Sequence, residues 1–65
     1  MRLEWGMPVT GTLQIVAANG TVIRSVSVAE QAEYRLDPDG LAAGSYLAIL
    51  HPENGVPITQ RIVIR

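Results

Sequence analysis

Apolar residues in this chain recur with a period of two, and that rhythm constrains the fold more than any other feature. Leu13, Ile15 and Ala17 alternate with Gln14 and Val16, and Val22, Arg24, Val26 and Val28 with Ile23, Ser25 and Ser27. Tyr34 and Leu36 flank Arg35, and Ile62 and Ile64 alternate with Arg61 and Arg65. Successive side chains on a strand point to opposite faces, so this pattern describes half-buried antiparallel strands. Tyr46 to Leu50 is apolar at both parities, which predicts an outer face that meets a second sheet or a neighbour. The one stretch with helical character, Val28 to Glu33, is too short to persist and reads as a turn between strands.

The punctuation agrees with the rhythm. Asn19-Gly20 sits between two alternating runs, and both residues tolerate the positive φ of a tight hairpin turn. Asn54-Gly55 repeats the signal before the last strand. Asp37-Pro38-Asp39-Gly40 is a loop signal, with Pro presetting φ and Asp able to accept from turning backbone N–H groups. Pro8 and Gly11 separate a short first strand, Arg2 to Trp5, from the second. The sum is about six short strands with turns every 8–12 residues, the pattern of a small all-β sandwich.

Size and charge narrow the function classes. A chain of 65 residues makes one small domain, and a domain of that size buries only about 60% of its unfolded surface. It has no cysteine and one histidine, so neither disulfides nor a thiolate or histidine metal cluster can stabilise it. The net charge is −1, there is no Lys, and the five Arg are scattered, which argues against a nucleic-acid or anionic-lipid face. No apolar run approaches the ~20 residues of a membrane-spanning helix. The N-terminus lacks the profile of a signal peptide, so an exported form would carry that signal on sequence upstream of Met1.

Residues able to do chemistry lack partners. The carboxylates are Glu4, Glu30, Glu33, Asp37, Asp39 and Glu53. Asp37 and Asp39 begin like a calcium loop, but the later ligands and the closing Glu are missing, so a solvated turn is the expectation. His51, beside Pro52, has no Ser or Asp placed for a nucleophilic triad. Trp5, Tyr34 and Tyr46 read as core aromatics whose N–H or O–H reaches a backbone acceptor. No catalytic, cofactor or metal residues are assigned.

What remains is the closing segment, Leu41 to Arg65, whose last strand ends the sequence as Arg-Ile-Val-Ile-Arg. An edge strand bordered by cations suggests a segment read by something else. Three blocks carry a family resemblance: Leu13 to Ile23 with its Asn-Gly turn, Leu41-Ala42-Ala43-Gly44-Ser45-Tyr46 continuing to Leu50, and Asn54-Gly55 through Arg65. Together they resemble the C-terminal sorting domain, type A, of cargo of the type IX (Por) secretion system of Bacteroidetes. The chain departs from the family where an aromatic followed by Asp or Asn is common, having Val16 and Ala17, and it uses Arg where Lys is common in the last strand. The family's Pro-Asn-Pro lead-in is missing.

The resemblance implies an Ig-like antiparallel β-sandwich of about six to seven strands. Residues 1–65 would be a single C-terminal sorting domain with a shortened N-terminal lead-in. It also implies a secreted or cell-surface destination, reached through periplasm and outer membrane, with translocon, shuttle and sortase components and the upstream cargo as partners. It implies no enzyme activity, cofactor, nucleic acid or membrane insertion. The expected recognition residues are Leu41, Gly44, Tyr46, Arg61, Ile62, Val63, Ile64 and Arg65. In this reading Gly44 serves a φ or a close approach that a Cβ would oppose, Leu41 anchors its loop and Tyr46 fills the space between sheets. The last strand offers its backbone edge for β-augmentation and its guanidiniums for bidentate carboxylate contacts. The plainer role for Arg61 and Arg65 is to keep an edge soluble. A competing class is a structural or adhesive Ig-like or fibronectin-like module, including one that dimerises through an open edge strand.

Overall fold

The computed structural model describes residues 1–65 and contains four β-strands and no helix. These are β1 (Arg2–Ala17), β2 (Val22–Arg35), β3 (Gly44–Pro52) and β4 (Ile58–Ile64). They form one antiparallel sheet in the order β2-β1-β3-β4, so β2 and β4 are its edges. The all-β antiparallel class matches the period-two reading. The strand count does not, because four long strands stand where about six to seven short ones were expected.

The difference lies in β1 and β2, which bend where the sequence predicts breaks. Pro8 and Gly11 lie inside β1, and Val28–Glu33 lies inside β2 rather than forming a turn. The ladder between the two strands changes register between Glu4 and Val9 and again between Val9 and Gly11. Bulges of this kind kink a strand without ending it. Pro8 falls in the first irregularity, where its missing N–H costs no ladder bond. In the second irregularity, opposite Thr10, Glu30 takes a positive φ of 47°. Side chains hold this bend: the Trp5 indole N–H donates to the Gln31 carbonyl at 2.7 Å, and the Glu30 N–H donates to Thr10 Oγ1 at 2.9 Å.

Because the β1–β2 ribbon is kinked, its open end folds back over the inner face of the sheet. Leu3 and Trp5 from this arm meet Leu13, Ala48, Leu50 and Ile58, and the Gln60 side-chain amide donates to the Glu4 carbonyl. The loop after β2 follows the arm. Arg24 donates to the carbonyls of Asp37 at 2.5 Å and Asp39 at 2.8 Å in this strap, and Leu36, the strap's first residue, is only 1% exposed. One open sheet with a folded-back arm therefore stands where two packed sheets were expected.

Eleven residues form a single core cluster. Leu13 and Ile15 from β1, Tyr46, Ala48 and Leu50 from β3, and Ile62 and Ile64 from β4 line the inner face. Leu3, Val9, Val28 and Leu36 complete the cluster. Fully burying a large aliphatic side chain such as Leu13, Ile15, Leu36 or Leu50 contributes about 1.5–3 kcal/mol each. The turns follow the sequence. Around Asn19-Gly20, Ala17 N–H donates to Thr21 O at 2.8 Å, Thr21 N–H to Asn19 Oδ1 at 3.0 Å, and Gly20 has φ +90°. In the Asp-Pro-Asp-Gly loop, Asp39 N–H donates to Asp37 Oδ1 at 3.0 Å, the solvated turn that was expected.

Candidate functional site

The eight expected recognition residues separate by strand parity into a buried group and an exposed one. In β4, Ile62 and Ile64 are 3% and 7% exposed and belong to the core. Arg61 and Val63 point the other way, and Arg65 follows in the same alternation, all exposed. Tyr46 is also core, and its hydroxyl donates to the Ala42 carbonyl, tying the Leu41–Ser45 approach to β3. Leu41 is half-buried against the cluster. Gly44 opens β3 at φ +150° with open space around the position a Cβ would take. Of the two reasons considered for glycine there, the φ applies and the close approach does not. The Leu-x-x-Gly-x-Tyr block thus shapes the loop and fills the core, and only Arg61, Val63 and Arg65 remain at a contactable surface of β4.

These three residues border an outer face that the sheet leaves uncovered. The register sets Val22, Val16, Leu47 and Arg61 in one line across the four strands. Ile49 lies two residues along β3 from Leu47, and Val63 pairs with Ser45. Leu47, Val22 and Val63 are 41%, 48% and 51% exposed. No second sheet covers this face, so of the two covers expected for the doubly apolar Tyr46–Leu50 the chain supplies neither and the neighbour is the one left. The physical reason is that the ribbon spends its fold-back on the inner face.

Charge is divided between the two sides of the molecule. Arg2 pairs with Glu4 at 2.7 Å and Glu33 at 3.6 Å, and Arg24 is held by the Asp37 and Asp39 carbonyls. Arg2 belongs to the folded-back arm, and Arg24, paired with Ile15 in the sheet, fastens the strap. β3 and β4 contain no Asp or Glu. Arg61 and Arg65 make no ion pair within the chain. His51, on the same outer side, contacts the Gln14 side-chain oxygen at 3.0 Å. The sequence pointed to the arginines, but Val16, Leu47 and Ile49 were missed as surface residues. Their signal was the double apolar parity of Tyr46–Leu50, and assigning it to solvent required knowing where the arm folds.

Other polar groups are engaged in structure. Trp5 and Tyr46 reach backbone carbonyls as expected of core aromatics. The six carboxylates are dispersed, and no three His, Asp or Glu side chains converge as metal ligands would.

The chain is thus a small β-domain with one closed apolar side, one open apolar side bordered by Arg61 and Arg65, and an unpaired edge strand. Comparison of families makes this specific. The chain belongs to the family of secretion system C-terminal sorting domains, whose sequence model matches residues 2–65. This is the type IX sorting domain that the sequence resembles. No curated protein and no solved structure matches the chain. Membership makes the domain a sorting signal for export out of the cell or to its surface, acting with secretion machinery on a cargo to which it is joined.

Proposed function

We propose that this domain directs its cargo through the outer-membrane type IX translocon to the cell surface and is then removed by a sortase-like protease. It acts by being recognised and not by catalysis. The observation that carries this reading is the family match over residues 2–65. The geometry is in keeping with it: buried side chains build the domain, while Arg61, Val63 and Arg65 offer an unpaired edge to a receptor.

The test fuses the full chain behind a reporter that carries its own inner-membrane signal peptide, in a host with this secretion system. The reporter should become accessible to added protease on intact cells, and its mass should lack the domain. In a host without the translocon it should stay in the periplasm. Surface delivery that is equal in the two hosts would refute the route, and a surface reporter retaining the whole domain would refute its removal.

A further inference from the structure

We infer that the outer face of β1, β3 and β4 docks a protein partner that presents carboxylates beside apolar side chains. The inference deepens the sorting reading and rests on it, naming the chemistry of what the domain meets. Val16, Leu47 and Ile49 form the apolar middle of the face, and Arg61, Val63 and Arg65 form its border on β4. Neighbouring strands lie about 4.8 Å apart and successive residues about 3.4 Å along each. The Cα atoms of Arg61 and Arg65 therefore lie roughly 14 Å apart along one margin, with Val63 between them. A complementary surface has apolar side chains over Leu47 and two carboxylates spaced to meet Arg61 and Arg65.

Charge complementarity selects this occupant. With no Asp or Glu in β3 or β4, nothing on this side of the chain answers the two guanidiniums. Desolvating them against an apolar partner would leave buried charge unpaired, whereas carboxylates accept from them bidentately. A second copy of the chain joined edge to edge through β4 fits poorly. Antiparallel pairing of two β4 edges about Val63 sets Arg61 opposite Arg65, and like charges directly opposite are destabilising. An anionic membrane is also a poor match for two arginines on a chain of net charge −1, since such binding draws on clusters of about four to eight cations.

The experiment places a photo-crosslinking residue at position 47 of the reporter fusion and irradiates cells of the secreting host. The expected adduct joins a protein whose cross-linked peptide, sequenced by mass spectrometry, carries Asp or Glu near apolar residues. The double variant Arg61→Glu, Arg65→Glu should lower both adduct and surface delivery about tenfold or more, with the thermal melt of the purified chain unchanged. Arg61→Lys with Arg65→Lys should recover most of both. Leu47→Ser, which removes apolar contact without touching charge, should also lower the adduct formed from a crosslinker at Ile49.

Full delivery of the Glu variant would overturn the inference, as would a cross-linked peptide without carboxylates. So would an adduct to a second copy of the chain, or arginine-dependent flotation of the purified chain with phosphatidylglycerol vesicles. These results leave the sorting reading standing as long as the unaltered fusion reaches the surface. Failure of the unaltered fusion overturns the sorting reading itself.

Discussion

Two glycines in this domain are required for different physical reasons, and substitution separates them. A Cβ on Gly11 would lie 2.1 Å from the His51 carbonyl oxygen and 2.9 Å from Pro52 Cα, both backbone atoms that cannot swing aside. β1 and β3 pair at this point, Gly11 with Pro52, and Glu53 N–H donates to Thr10 O at 2.9 Å beside it. Gly11→Ala must push the strands apart, at a cost of about 1–3 kcal/mol. In a domain of this size each kcal/mol lowers the melting temperature by about 4–8 °C. Gly44 meets no neighbour, so its constraint is φ alone. Gly44→Ala is expected to cost about 1 kcal/mol or more, and D-alanine introduced there by chemical synthesis should recover the loss, since a D residue accepts positive φ. Melting curves of the three variants check this. Equal behaviour of L- and D-alanine at position 44 would contradict it.

At the scale of the element, β4 serves two purposes through its two parities. Ile62→Ala removes core methyl groups from a residue 3% exposed and should cost about 2–5 kcal/mol, enough to threaten folding. Arg61→Glu changes an exposed side chain and should move stability by no more than about 0.5 kcal/mol while reducing export. Urea titration of the purified chains together with surface assays of the fusions measures both quantities. Deleting Ile62–Arg65 would confound them, because it removes core and surface at once. The alternation of Ile62 and Ile64 with the arginines made this division legible in the sequence, as did Asn19-Gly20 and Asp37-Pro38-Asp39-Gly40 for their turns. Continuity of β1 and β2 was not legible. Pro8, Gly11 and the helical-looking Val28–Glu33 carry the local signals of a break, and only bonds between distant residues convert them into bulges. Trp5 with Gln31 and Thr10 with Glu30 are separated by 26 and 20 positions, beyond the reach of any periodicity.

Across the whole molecule, the fold-back arm decides whether so small a chain has one core or two weak ones. Leu3 from the arm, Leu36 from the strap, and Ile62 and Ile64 from the far edge belong to a single cluster. The strap is fastened by Arg24, so Arg24→Ala should speed amide exchange in residues 36–41 before any other region. That change removes two hydrogen bonds from a charged donor, each contributing about 1.5–3 kcal/mol where shielded and less at this exposed position. The arm itself is reported by Trp5, the only Trp in the chain. If arm and sheet share one core, unfolding is all-or-none. Trp5 fluorescence and far-ultraviolet dichroism should then give coincident urea transitions, with the same midpoint shift from Leu3→Ala in the arm as from a β4 variant of equal cost. A fluorescence transition that precedes the dichroism would mean the arm peels away from a sheet that stands without it. The outer and inner faces of β3 would then be equally open, and the charge-bordered outer face would lose its claim to be the one surface left for a partner.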